Sequence, residues 1–528
     1  MDEKIATINQ EKTMVQLAEE LKEKKDLYKK MGGQKYIDAQ HEKNKLTARE
    51  RIDLLLDEGS FREMGILAHH QNLHSTMEGK YTPADGVIAG RGLVDGRPIC
   101  IIAHDYTVLA GAIGKIAETK MARVREWSLK NRIPMVWLID SAGVRVQESI
   151  GSLFAENGKQ FFDQVKMSGV VPLVCAMMGP GIAGTAYLPA LADFVPMVKN
   201  TSYMALGGPH LVRSVVGEDV DEQTLGGSKV HTTESGVADI EVKSDEECIE
   251  IIKQYLSYFP SHCEEKPPIK DVVAEQLITF NERLAEIVPT SPKKTYNMYH
   301  VIEELADNGE YLAMKPKWAK NIVTAFTRVG GIPVGIIANQ PIHLGGALDG
   351  DAADKAARFI NICDSFSIPL VFLQDVPGFI VGSKVEKQGI IRHGAKMLHA
   401  VAEATVPKVT VILRKAYGAG YFVMCGKQYE PDLIVAWPTA EISVMGAEGA
   451  ASILYHKQIR LAEDPKAAWA EKASQFRKLI DVDIAASNML IDDVIDPRDT
   501  KREIYDALKA SFDKKVERPW KKRSVRPV

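Results

Sequence analysis

From about Val87 the chain alternates short apolar runs with stretches in which apolar residues return every three or four positions. The run Met135–Ile139 is apolar at every position, which predicts a strand buried on both faces. Before it, Ala117, Met121 and Val124 stand at i, i+4 and i+7, one stripe of an amphipathic helix. Strand, helix and strand in this order make a β-α-β unit, the building block of a parallel sheet. Further upstream, residues 11–30 are highly charged and rich in helix formers (Glu19-Glu20-Leu21-Lys22-Glu23-Lys24), which predicts a surface helix.

The pattern occurs twice, 235 residues apart. Arg97–Ala103 returns as Ile332–Ala338, Lys120–Arg123 as Lys355–Arg358 and Ile133–Asp140 as Ile368–Asp375. Val171-Pro172 returns as Val406-Pro407, Gly143 as Gly378, and the helical stripe as Ala352, Ala356 and Phe359. An ordered series in one register is an internal duplication. The length of 528 residues, which alone would suggest three or four domains, therefore divides into two larger α/β domains with ample core. Proline-rich stretches at Phe259–Pro268 and Pro289–Pro292 favour extended connectors and place the domains at 8–267 and 268–515. Two related halves can present two half-sites, which suits a reaction between two bulky substrates.

Composition narrows the function. A net charge of -4 and a pI near 6.4 leave no electrostatic footprint for nucleic acid. The basic C-terminal residues Lys514-Lys515 and Lys521-Lys522-Arg523 read as a solvated end. The six cysteines form no CxxC pair and several lie in apolar runs, so buried free thiols in a reducing compartment are expected, without a zinc ribbon. Met1-Asp2-Glu3-Lys4 starts acidic and lacks the pattern of a signal or transit peptide, and no apolar run reaches membrane-spanning length. The expectation is a cytoplasmic protein with no membrane segment.

Each copy carries small residues after an apolar strand: Gly179-Pro180-Gly181-Ile182-Ala183-Gly184 in the first, Tyr417-Gly418-Ala419-Gly420 in the second. Small residues let a ligand oxygen approach the backbone, and a following helix would aim unpaired N–H groups at it. That is the construction of an oxyanion hole for an enolate. The glycines would equally serve a tight strand-to-helix turn with no ligand. The Ala-Gly pairs, Ala183-Gly184 and Ala419-Gly420, are one residue out of the 235-residue register, so a one-residue insertion is expected in the second loop. Gly179, Gly181 and Gly184 also match a dinucleotide fingerprint, but the second copy lacks that spacing and the strand lies deep within its repeat. There is no GxSxG, HExxH or GxxxxGK[ST] sequence. Asp140 and Asp375, at corresponding strand ends, are expected to bond backbone there rather than act as bases. His210, His231, His343 and His393 are read as structural.

Three stretches resemble a known family: Asp140-Ser141-Ala142-Gly143-Val144-Arg145-Val146-Gln147-Glu148, Gly389–Met397 and Trp437–Gly446. Together they are similar to the carboxyltransferase (β) subunit of biotin-dependent acyl-CoA carboxylases, the group of propionyl-CoA and methylcrotonyl-CoA carboxylase. The resemblance runs from about Lys45 to Pro497. It implies two tandem crotonase-like (ClpP/crotonase) domains, acyl-CoA on the first and biotin, carried on a separate subunit, on the second. It further implies that CO2 released from carboxybiotin is taken by the α carbon, or a vinylogous γ carbon, of a short or branched acyl-CoA. By position, Ala183 and Gly184 would hold the thioester enolate oxygen and Ala419 and Gly420 the biotin ureido oxygen. Ala142, Gly143, Gly207, Gly208 and Phe422 would line the substrate. The implied partners are a biotin carboxylase/biotin carrier subunit and further copies of the chain, a hexamer built as a dimer of trimers, with no metal. A decarboxylase subunit of the sodium-pump type and a non-catalytic CoA-binding scaffold are the alternatives.

The acyl group stays open. Ala183-Gly184 and Ala205-Leu206-Gly207-Gly208-Pro209 look methylcrotonyl-like, whereas Gln374–Phe379 looks propionyl-like. Phe422 stands where propionyl-type members often carry Asp, and is either part of the acyl pocket or a core residue. Val165-Lys166-Met167 resembles the end of a biotinylation signal but lacks a carrier domain around it, so Lys166 is expected on a helix surface.

Overall fold

The first copy is a sheet of eight strands: β1 (Arg62–Glu63), β2 (Val87–Val94), β3 (Arg97–His104), β4 (Met135–Ser141), β5 (Leu173–Ile182), β6 (Pro196–Val198), β7 (Tyr203–Ala205) and β8 (Ile240–Val242). Their order is β1-β2-β3-β4-β5-β6-β8, with β7 also on β5. The second copy repeats it with β9 (Tyr311–Met314), β10 (Ile322–Val329), β11 (Ile332–Asn339), β12 (Leu370–Val376), β13 (Lys408–Tyr417), β14 (Leu433–Ala436), β15 (Glu441–Ser443) and β16 (Asp493–Val494). Its order is β16-β14-β13-β12-β11-β10-β9, with β15 also on β13. In both, an antiparallel hairpin (β2–β3, β10–β11) leads into parallel pairs (β3–β4–β5, β11–β12–β13). This computed structural model describes residues 12–71, 75–149, 151–271 and 280–527. Met1–Lys4 and the expected domain start at residue 8 lie outside the described residues.

The duplication holds strand by strand. β10, β11, β12 and β13 begin and end 235 residues after β2, β3, β4 and β5. All of β4 and β12 is buried, as the unbroken apolar runs Met135–Ile139 and Leu370–Leu373 within them require. Ala117, Met121 and Val124 face inward from the helix Lys115–Asn131, and Ala352, Ala356 and Phe359 from Gly350–Ser365. The charged N-terminal stretch forms the helix Met14–Lys29, which buries no residue. The chain forms two compact units, one of residues to Ser168 with 173–230 and 241–250, the other of 169–172, 231–240 and 251 onward. Five cysteines are buried, Cys263 is half-buried, and all six are free thiols. Among the described residues no helix is long and apolar enough to cross a membrane.

The basic tail is solvated as expected: Lys515 and Lys521–Arg523 are exposed, while half-buried Lys514 pairs with Asp432 and Lys521 with Glu403. Lys166 is exposed on the helix Lys159–Met167, over the Phe162 ring, as expected of a surface lysine.

The repeated lysine is structural in both copies. Buried Lys120 donates to the carbonyl of Val87, the first residue of β2, at 2.6 Å. Buried Lys355 donates to four carbonyls, of Lys315 (2.9 Å), Trp318 (3.0 Å), Ala319 (3.3 Å) and Ile322 (2.8 Å), the last opening β10. Burial, reinforced by the Lys315 ammonium, pushes Lys355 down from 10.5 to about 7. Between those values the unfolded chain holds one proton more than the folded one, so this group makes stability rise as pH rises from about 7 toward 10.5. Lys355→Met removes a shared donor from four carbonyls, of which those of Lys315 and Ala319 keep the N–H groups of Trp318 and Ile322, and should cost about 1–3 kcal/mol at pH 7. It should also flatten the increase in urea midpoint between pH 7 and 9. A variant with the parental midpoint and slope would refute this role.

Candidate active site

The site is built where the two central strands of each sheet fall out of register. Along β4 and β5 the pair Ile139–Met177 is followed by Ser141–Gly181. Along β12 and β13 the pair Gln374–Ile412 is followed by Val376–Ala416. The residue spanning the irregularity on the shorter side is Asp140 in one copy and Asp375 in the other. Both carboxylates are buried, and a buried carboxylate needs a cation or a full set of donors.

The two copies supply that cation differently. Asp375 takes Arg414 Nε at 2.9 Å and Nη2 at 2.7 Å, from the facing strand β13 itself. Asp140 takes Lys45 at 2.7 Å and Arg51 Nη1 at 2.9 Å, both from near the N-terminus. Arg51, on the helix Ala48–Leu55, also bonds Asp245 through Nε (2.7 Å) and the Met178 carbonyl through Nη2 (3.2 Å). Burial lowers the Lys45 ammonium below its ordinary value, with Asp140 opposing. Gly179 stands 235 residues before Arg414, and a β-carbon there would lie 1.9 Å from Asp140 Oδ1. The structural role expected for both aspartates holds, but guanidinium groups rather than backbone carry it. The Lys415 N–H at 3.3 Å from Asp375 is the backbone share.

Beyond the irregularity each strand turns abruptly into a helix. β5 ends at Ile182 and β13 at Tyr417, still 235 apart. The next residue has positive φ in both: Ala183 at φ 55°, ψ -117°, and Gly418 at φ 55°. Glycine adopts this at no steric cost, whereas alanine stores about 1–3 kcal/mol of strain. The expected one-residue insertion is therefore absent at the turn: Ala183 matches Gly418, and Gly184 matches Ala419. The added length comes later, since Val174 bridges Phe194 but Val409 pairs with Leu433, four residues further along. Gly179 and Gly181 lie inside β5 and not in a loop, so no dinucleotide turn exists there.

The carboxyl ends of β4, β5 and β7 bring six of the expected residues together. Ala142 and Gly143 follow β4, and a β-carbon on Gly143 would lie 2.9 Å from the Ile182 carbonyl oxygen. The Ala183 N–H donates to the Ala205 carbonyl of β7 at 2.9 Å and so is taken up within the sheet rather than free for the oxyanion role expected of it, while Gly184 opens the helix Gly184–Ala190. Gly207 and Gly208 follow β7, Gly208 preceding the helix Pro209–Val216. In the second unit, Gly418, Ala419 and Gly420 begin the helix Gly418–Val423; Ala419 is exposed and Gly420 is packed on Val376 and Gly378. Phe422 is 41% exposed beside Tyr421 and Tyr429, so it is not a core residue. The carboxyl ends of parallel strands are where open α/β sheets hold ligands. His393 pairs with Asp354 at 2.9 Å and His231 with Ser235 at 2.8 Å, while His210 and His343 are exposed.

Sequence reading passed over Arg51, Lys45 and Arg414, and also Gln160, Phe161 and Tyr187 around Gly184. The change from Gly179 to Arg414, from no side chain to a guanidinium at matching positions of the repeat, was the available signal.

The sequence profile of the carboxyl transferase domain family matches residues 39–526. The chain belongs to the carboxyl transferase family. It is 43% identical to the carboxyltransferase subunit of propionyl-CoA carboxylase from Haloferax mediterranei, over 98% of this chain and all of that one. It is 42% identical to the α subunit of methylmalonyl-CoA decarboxylase from Propionigenium modestum, over 97% and 98% of the two chains. Among solved structures, transcarboxylase 12S, a hexamer with methylmalonyl-CoA and methylmalonic acid bound, superposes with a TM-score of 0.94 at 43% identity, over 98% of this chain and 99% of that one. This carboxyltransferase thus has the duplicated crotonase-like fold expected of it.

Two substitutions separate the buried ion pair from the strained turn. Gly179→Ala drives a methyl group into the Asp140 carboxylate and should destabilise by about 2–4 kcal/mol. Ala183→Gly relieves the strained φ and should leave stability unchanged or raise it by up to about 1 kcal/mol. Thermal melts of the two variants check both signs.

Proposed function

We propose that this chain is the carboxyltransferase subunit of a biotin-dependent acyl-CoA carboxylase of the propionyl-CoA type, acting on a short or branched acyl-CoA. The observation that carries this reading is the same positive-φ strand-to-helix turn at the end of the same strand in both copies. Reactions that pass through an enolate need donors aimed at a developing oxyanion, and each such donor is typically worth about 2.7–4 kcal/mol. In the first unit the Gly184 N–H is the donor for the thioester oxygen, and Ala183 gives the turn its direction. Deprotonation of the acyl-CoA builds charge on that oxygen, so a donor placed there favours the transition state over the bound substrate.

In the second unit Ala419 and Gly420 present N–H groups toward a ureido oxygen. The fit to biotin rests on a turn with no larger side chain than the Ala419 methyl and with Gly420 held hard against Gly378. Bound carboxybiotin would supply the CO2 and, once decarboxylated, take up the α-proton of the acyl-CoA. The chain's own groups would orient the two substrates and stabilise negative charge. We further assign a hexameric assembly, as in transcarboxylase 12S, and a biotin carboxylase/carrier partner subunit. The similarity to a decarboxylase α subunit supports a second direction for the same site, from a carboxylated acyl-CoA to CO2.

Fixation of labelled bicarbonate by the chain with its cognate biotin subunit, across acyl-CoA thioesters, tests the reading; release of CO2 from a malonyl-type thioester without fixation would assign the reverse direction. Gly184→Val meets only the Phe161 and Gln160 side chains, at 3.2 and 3.6 Å from the new β-carbon, and the fold can absorb it. It should keep assembly and lower transfer by about 100-fold or more. Parental turnover would overturn the oxyanion assignment.

A further inference from the structure

The second turn carries a side-chain tie that the first cannot make. In the first unit the Ala183 N–H donates to the Ala205 carbonyl, joining the turn to β7 through backbone. In the second, Tyr417, the last residue of β13, donates its phenol to the Glu441 carboxylate at the start of β15. The corresponding strand positions of the first unit hold Ile182 and Tyr203, and an isoleucine side chain has nothing to donate. Tyr417 is buried and Glu441 half-buried. Burial, with the Glu441 carboxylate beside it, pushes the phenol above its ordinary range, so it stays a donor at every neutral pH.

Glu441 is itself held in place. Arg477 Nε lies 3.6 Å from its other oxygen, while Arg477 Nη2 bonds Glu448 at 2.7 Å. The Tyr417 ring packs with Ala447 and Ile480, and a β-carbon on Gly446 would lie 3.1 Å from the ring edge. The residue immediately before the turn is therefore fastened at both its ring and its hydroxyl. Gly418 needs such a flank. Glycine reaches positive φ freely but populates negative φ about as readily, so its latitude permits the turn without choosing its direction. The Ala419 and Gly420 N–H groups stand two and three residues beyond Tyr417, at the start of the helix Gly418–Val423.

We infer that Tyr417 is a positioning residue: through its bond to Glu441 it aims the Ala419 and Gly420 N–H groups, and so governs the biotin half of the reaction and not the acyl-CoA half. This rests on the biotin reading of the second turn. Donors act on a developing charge only when they are already aimed at it, and a displacement of about 1 Å can cost about 100-fold in rate.

The test follows propionyl-CoA formation from methylmalonyl-CoA with free biotin as the carboxyl acceptor, using the full chain and varying each substrate in turn. Tyr417→Phe should lower kcat/KM for biotin by about tenfold or more. The KM for methylmalonyl-CoA should stay at the parental value, and the melting temperature within a few degrees, as loss of one hydrogen bond allows. Glu441→Gln keeps an oxygen that accepts from the phenol and should retain most of the turnover. Glu441→Leu should reproduce Tyr417→Phe, and it replaces that variant if the phenylalanine protein fails to fold. A parental kcat/KM for biotin in Tyr417→Phe, or an equal loss on the methylmalonyl-CoA side, would overturn the inference. Propionyl-CoA formation by the parental chain that is indifferent to biotin would instead remove the biotin reading on which it rests.

Discussion

One buried carboxylate at the end of each sheet's central strand governs what lies beyond it. Asp140 and Asp375 sit where the neighbouring strand carries two residues more than its partner, and each is held by a guanidinium with almost no access to water. The irregularity bends the end of β5 or β13, and the ion pair keeps the bend in one shape. Without the cation the carboxylate would have to protonate or draw in water, and the strand end would lose its direction. The turn that follows, and the N–H groups it orients, inherit that direction.

The strained turn is the second level of the same construction. Gly418 reaches its positive φ freely, but Ala183 does so against its own methyl group. Strain in one residue persists when the surroundings over-determine it, and here the Ala183 N–H is fixed to Ala205 while Ile182 closes on Gly143. The first unit therefore holds a rigid turn by external contacts, and the second holds one by glycine's own latitude.

Much of this was legible in the sequence, for identifiable reasons. The apolar run Met135–Ile139 and the stripe Ala117, Met121, Val124 encode strand and helix through burial, which leaves periodic traces. The repeat revealed which strands correspond because β2–β5 and β10–β13 keep one constant offset. The turn was misread by one residue because Ala183-Gly184 and Ala419-Gly420 look alike as letters, whereas φ obeys the register and not the letters. Arg51 was invisible because its partners Asp140 and Asp245 lie far from it in sequence, and long-range ion pairs leave no local pattern. Gln160 was invisible for a simpler reason: a polar residue on an amphipathic helix reads as a surface position until its burial is known.

The pair Gly179 and Arg414 has a consequence for the history of the chain. Two copies that began identical have come to neutralise the same carboxylate from opposite directions, one from across the unit and one from the adjacent strand. A recombination that exchanged β5 for β13 would bring a second guanidinium onto Asp140 and leave Asp375 with none. The halves are no longer interchangeable parts, and a repair event that made them alike again would undo both. The asymmetry of the duplicated chain is thus locked in by charge, independently of whatever each half has come to bind.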